Sequence, residues 1–258
     1  LARLLLLRTG RHGVIDVSLL HKQYMGLLTR GEQKIHFIHI PKTAGTSIIS
    51  LLKSEGWDHQ LFDVPNNLRD QLKVKSHFTS HPHHACWSSL ENYKQDCEYE
   101  FSVVRHPYDR FASALNQTLG TLPADEFYQH ISEIPPEQLM PFVESLLFKI
   151  VKPREPHQGI GMDDNRWRPQ VYFLSEKTEV FRYEDGLEFL IDTLKEKGYI
   201  GTNAALPKEN VNKFVESNSQ DTDNSAIHSI IPWYKHEEAF KIFTSLYRHD
   251  FERLHYSL

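Results

Sequence analysis

Residues 35–52 read IHFIHIPKTAGTSIISLL, and three kinds of sequence meet in them. A β-rich apolar run (Ile35, Phe37, Ile38, Ile40) predicts a buried strand, which Pro41 stops. Lys42, Thr43, Ala44, Gly45, Thr46 and Ser47 then gather small residues and hydroxyls around one glycine. Ile48, Ile49, Leu51 and Leu52 predict a buried helix that Gly56 closes. A strand, a tight loop and a helix start aim backbone N–H groups and the positive end of the helix dipole at one point. That is an anion site, and phosphate is its common guest. Lys42 adds a mobile positive charge at the entrance.

The loop departs from the Walker A pattern. There the lysine follows the last glycine and precedes Ser or Thr; here Lys42 precedes Gly45, and the chain contains no GK[ST]. The order PKTAGTS resembles instead the 5'-phosphosulfate loop of sulfotransferases that use 3'-phosphoadenosine 5'-phosphosulfate. The likeness is to their carbohydrate branch, typified by heparan sulfate 2-O-sulfotransferase and its bacterial relatives.

Further segments carry the same resemblance. The apolar run that starts at Tyr99 predicts a buried strand ending at Arg105, and Pro107 suits the first turn of a helix whose core face holds Phe111 and Leu115. At 100° per residue, Ser113 points away from that face. Arg105, Pro107, Arg110 and Ser113 together resemble the family's 3'-phosphate motif, R-x-P-x-x-R-x-x-S. Arg105 offers a fixed fork of donors for a phosphate, and Ser113 a hydroxyl. Trp167-Arg168-Pro169-Gln170 resembles the W-[RK]-P-Q segment, and Val180 to Glu184 the V-x-R-Y-E ending of a late strand. Tyr247 to Phe251 resembles the closing Y-x-x-D-F. The likeness runs in patches over residues 34–256.

Candidate bases come from Ser76 to His84, where His77, His81, His83 and His84 cluster after the strand candidate Leu72–Lys75. A metal site is one reading, but no carboxylate adjoins the cluster, and Pro82 breaks the helix that would align His77 with His81. A solvated loop is another. The third is a catalytic base at the carboxyl end of a parallel strand, where open α/β sheets place their sites. Lys75-Ser76-His77-Phe78 resembles the family's histidine-bearing segment, which selects His77.

At 258 residues and 40% hydrophobic composition the chain fits one large α/β domain. A net charge of −5 leaves no footprint of general nucleic-acid binding. Two cysteines, Cys86 and Cys97, exclude a disulfide framework. The leucine run at positions 4–7 is too short to span a bilayer. The sequon Asn116-Gln117-Thr118 falls on a predicted core helix where a glycan fits poorly, which favours a cytoplasmic, bacterial-type protein. The missing initiator methionine leaves room for a removed anchor and a Golgi-lumen setting. Residues 1–33 read as peripheral amphipathic helices, and residues 34–256 as a cofactor-binding and catalytic core.

The expected fold is a P-loop-like central parallel sheet flanked by helices on both faces. The resemblance implies in-line sulfuryl transfer, leaving adenosine 3',5'-bisphosphate as product and needing no metal. Lys42 would stabilise the leaving oxygen, residues 43–47 would hold the 5'-phosphate, Arg105 and Ser113 the 3'-phosphate, and His77 would take the proton of an acceptor hydroxyl. That hydroxyl belongs to a glycan or a small metabolite. Two rivals stand beside this reading: a nucleotide kinase, which needs Mg²⁺ ligands and a Walker lysine, and a nucleotide-binding module without turnover.

Overall fold

The computed structural model describes residues 7–8, 14–15, 26–59, 97–119, 134–151, 165–207, 231–233 and 236–258. The candidate base His77, the rest of its histidine cluster and the strand candidate Leu72–Lys75 lie outside these residues.

A five-stranded sheet organises the described chain, in the order β5 (Asp58–His59), β3 (Leu27–Arg30), β4 (Gln33–Ile38), β6 (Tyr99–Val104), β7 (Glu179–Arg182). The neighbours β4, β6 and β7 run parallel, with Phe37 opposite Phe101 and Val104 opposite Arg182. The expectation of a parallel sheet holds for these three strands only. On the other side β3 is antiparallel to β4, and β5 antiparallel to β3. The connection dictates this: Gly31 and Glu32 join β3 to β4, and so short a turn closes a hairpin but cannot carry a parallel crossover. Gly31 has φ 60°, the left-handed conformation that such a turn demands.

Where residues 1–33 are described, the reading of peripheral helices is corrected to strands. Leu27–Arg30 is a strand within the sheet, and Leu7–Arg8 pairs with Val14–Ile15 as a separate two-stranded ribbon of β1 and β2. The spacing of Tyr24, Leu27 and Leu28 satisfied a helical period, but so short an apolar run does not separate helix from strand. Burial does: Leu28 is fully enclosed with Ile35 and Phe37. Arg30 fastens the end of β3 by donating to the carbonyls of Gly198 at 2.8 Å and Tyr199 at 2.9 Å.

Five α-helices, α1 (Gly45–Ser54), α2 (Pro107–Leu119), α3 (Pro136–Val151), α4 (Glu188–Glu196) and α5 (Glu237–Arg253), and two short 3-10 turns at Gln170–Tyr172 and Tyr183–Asp185 complete the described fold. Alternation along the strands sorts the core. Ile35, Phe37, Phe101, Val103 and Phe181 share one cluster with Ile48, Leu51 and Leu52 of α1 and Leu190 and Leu194 of α4. The out-of-phase residues Ile38 and Val104 pack with Val171, Phe173 and Leu254. A third cluster joins α2, α3 and α5 around Trp167 and Trp233. None of the described helices is long and apolar enough to cross a membrane.

Because β4 and β6 are parallel neighbours, their carboxyl ends lie side by side. The loop after β4 carries Lys42, four residues past the end of the strand, and the residue after β6 is Arg105. Sheet topology brings the two predicted anion ligands to one edge.

Candidate active site

The loop between β4 and α1 is wound against the usual backbone preference. Lys42 has φ 74° and Ala44 has φ 66°, a region that side chains other than Gly, Asn and Asp rarely adopt. Each costs on the order of 1–3 kcal/mol and persists where surrounding structure over-determines it. Thr43 is one such restraint: it is fully buried and its hydroxyl donates to the carbonyl of Ile40 at 2.9 Å. That hydroxyl, expected to face a phosphate, is used inside the loop. His39 is another restraint. Its ring stacks on Phe37 and lies against Gly45, where an added Cβ would come within 2.0 Å of it. The glycine is required by this close approach.

Helix α1 starts at Gly45, and its cap residue, Ala44, has no side chain to satisfy the first turn. Thr46 is exposed and Ser47 half-buried at that end. The cap position therefore contributes no side-chain hydrogen bond to the positive terminus of the helix.

Arg105 is held from two sides. Its N–H donates to Gln170 Oε1 at 2.9 Å, and its carbonyl accepts from Gln170 Nε2 at 2.7 Å. Its guanidinium lies over the ring of Tyr183, 4.7 Å from the centroid. Arg105 is 9% exposed, and its Nε–H is buried with no acceptor. A buried donor on a charged group left in that state is costly, unless an anion completes it. Ser113 is also buried, in α2.

Lys42 reports the local field. Burial lowers its pKa, and the nearby charges of Arg105 and Arg166 lower it further. Three cations thus converge on the loop. Arg166 escaped the sequence reading because nothing in its local pattern separates it from a surface charge.

Arg110 brings Arg166 to the loop. This guanidinium, 2% exposed, donates to the Pro41 carbonyl at 2.9 Å and to those of Arg168, Asn165 and Arg166 at 2.9, 3.0 and 3.2 Å. Rigid planar donors suit such a staple. The middle arginine of the R-x-P-x-x-R-x-x-S pattern is thus a tie between α2, the loop after β4 and the turn at residues 165–168.

The sulfotransferase family's model matches residues 25–257. The chain belongs to the sulfotransferase family. No curated protein and no solved structure matches it. The family acts by sulfuryl transfer to a hydroxyl-bearing acceptor, and the cation cluster sits at the sheet edge where such a site is expected.

Other segments of the sulfotransferase pattern acquire structural roles. Arg182 donates to the carbonyls of Leu254 and, at 2.9 Å, His255, and its guanidinium covers the ring of Tyr256. Glu184 accepts from the His106 N–H and from the Tyr256 hydroxyl. Asp250, fully buried, accepts from the N–H groups of Gln170 and Val171 at 2.9 and 3.0 Å. Burial raises its pKa, against the pull of those bonds and of Arg110.

Among the described residues, one set with metal-ligand chemistry appears, His36, Cys97 and Glu100, its ligand atoms within 4.8 Å of one another. Glu100 is already engaged there by His36 at 2.9 Å, by Thr178 at 2.6 Å and by Ser175. The group is a hydrogen-bonded clasp between β4, β6 and the turn before β7. A depression of about 420 Å³ lined by Pro141, Glu144, Ser145, Phe148 and Lys149 of α3 shares no residue with the cation cluster.

Proposed function

We propose that this sulfotransferase moves a sulfuryl group from 3'-phosphoadenosine 5'-phosphosulfate to a carbohydrate hydroxyl, on a P-loop-like anion site. The observation that carries the reading is the convergence of Lys42, Arg105 and Arg166 on a helix start whose cap residue, Ala44, makes no side-chain bond, with the buried Arg105 Nε–H lacking an acceptor. A donor with anionic groups at both ends of its ribose fits two such points. Residues 43–47 hold the 5'-phosphate chiefly through backbone N–H groups, the Thr43 hydroxyl being taken. Arg105 and Ser113 hold the 3'-phosphate.

The donor supplies an electrophilic sulfur with a phosphate leaving group. The acceptor oxygen forms a bond to sulfur as the bond between sulfur and the 5'-phosphate oxygen breaks. Lys42 neutralises charge growing on that oxygen, an interaction strongest in the transition state. His77 takes the acceptor's proton; an imidazole is suited to this because its ordinary pKa lies near neutrality. The carbohydrate branch, and a glycan or small-metabolite acceptor within it, rests on the PKTAGTS resemblance.

The test is incubation with sulfur-labelled donor against a panel of glycans and hydroxylated metabolites, with mass spectrometry of the products. Transfer to a glycan is the expected outcome. Phosphoryl transfer from ATP would replace the reading with a kinase, and bound nucleotide without product would replace it with a binding module.

A further inference from the structure

Strand β6 ends at Val104, whose register partner Arg182 is the last residue of β7. Arg105 lies beyond the ladder, and a residue there has no strand to fix its backbone. The Gln170 side chain takes that place. A primary amide carries a donor and an acceptor as a peptide group does, and Gln170 uses both on Arg105, at 2.7 and 2.9 Å. Its orientation follows from its partners. The Arg105 N–H can only donate and the Arg105 carbonyl can only accept, while Asp250 Oδ2, which accepts the Gln170 N–H, lies 3.4 Å from Nε2. Asp250 also grips the backbone that carries Gln170, through the N–H groups of Gln170 and Val171. Both residues are fully buried.

We propose that Gln170 and Asp250 are positioning residues that hold the Arg105 guanidinium in register with the 3'-phosphate, so that they set the preference for 3'-phosphorylated nucleotides without touching them. The proposal rests on the donor assignment above. Its mechanical basis is leverage: a long side chain turns a small rotation at its own backbone into roughly 1 Å at the guanidinium, enough to spoil a two-point contact. Gln170 removes the rotation, and Asp250 removes the freedom of Gln170. Tyr183 holds the face of the guanidinium but not its backbone.

The test measures binding of adenosine 3',5'-bisphosphate and adenosine 5'-phosphate by calorimetry to wild type, Gln170→Met, Asp250→Asn, Arg105→Ala and the double variant Gln170→Met/Arg105→Ala. Wild type is expected to prefer the bisphosphate. Gln170→Met and Asp250→Asn should each reduce that preference by about tenfold, with adenosine 5'-phosphate affinity within about twofold of wild type. Gln170→Met should have no further effect once Arg105 is alanine, because coupled residues are non-additive. Gln170→Glu, which keeps the acceptor but not the donor, serves in place of a variant that does not fold. Equal losses for both nucleotides, or an effect that persists without Arg105, would reduce the pair to a structural role. Preference unchanged in the variants overturns the proposal alone; wild type without preference overturns the donor assignment and the proposal with it.

Discussion

Lys42 occupies a backbone conformation that its side chain disfavours, in a place where two arginines repel it. In the proposed reaction this cation meets the charge of the leaving group. Its contact should strengthen as the leaving oxygen charges, so its loss falls on the transition state more than on binding. Lys42→Ala is expected to bind adenosine 3',5'-bisphosphate in calorimetry while transfer falls by about two orders of magnitude or more, as loss of one oxyanion donor does; unaltered transfer would remove Lys42 from the mechanism. For His77 the expectation is a loss of most transfer in His77→Ala with nucleotide binding retained. Wild-type activity should then decline at acid pH as the imidazole protonates, whereas alanine at His81, His83 or His84 should cost little. An acid limb that persists in His77→Ala would assign the base elsewhere.

At the scale of elements, buried polar ties do what apolar packing cannot: they fix loops in register with the sheet. Arg110 of α2 reaches the Pro41 carbonyl and three carbonyls of the turn at residues 165–168. Arg110→Met keeps much of the volume but leaves buried acceptors unpaired, at about 1–3 kcal/mol each. Loss of about 3 kcal/mol or more in denaturant unfolding is expected, with nucleotide affinity reduced because the anion loop loses its brace. A variant as stable as wild type would show that water replaces the guanidinium. Glu100 ties β6 to β4 and to the turn before β7. Burial pushes its pKa up, but bonds from His36, Ser175 and Thr178 outweigh that and hold it at about 2, against an ordinary 4.5. A carboxyl with a depressed folded pKa adds stability above its unfolded value and loses it as pH falls through the folded one. Glu100 therefore stabilises the fold above about pH 4.5 and gives this up between there and about pH 2. Glu100→Gln should be clearly less stable than wild type near neutrality, and the gap should close on acidification; a gap independent of pH would exclude the carboxylate as its source.

Across the whole molecule the chain's end is folded back onto the sheet edge that carries the cations. Arg182 binds the Leu254 and His255 carbonyls, Glu184 the Tyr256 hydroxyl, and His106 the Ser257 carbonyl at 3.2 Å. A chain ending at Arg253 removes these partners together and exposes the pocket of Leu254, which is 9% exposed. Thermal unfolding should shift down by several degrees, in line with losses of roughly 1–2 kcal/mol in a domain of this size. An unshifted transition would mean that the tail merely lies on the surface.

What the sequence by itself determined was local: the strand, proline, loop and helix of residues 35–52, and the strand, arginine, proline and helix from Tyr99 to Leu115. Their signals are contiguous patterns of period, capping and chain breakers, and these survive without tertiary context. Lys42 and Arg105 were legible as candidate anion ligands for the same reason. Tertiary structure alone decided the rest. A four-residue strand such as Leu27–Arg30 is distinguished from a helix only by its partner strand. The inward turn of the Thr43 hydroxyl depends on a carbonyl that the fold places, and the recruitment of Arg166 depends on Arg110. Gln170 and Asp250 stood in recognisable motifs without a role, since a buried polar side chain is defined by the distant groups that satisfy it.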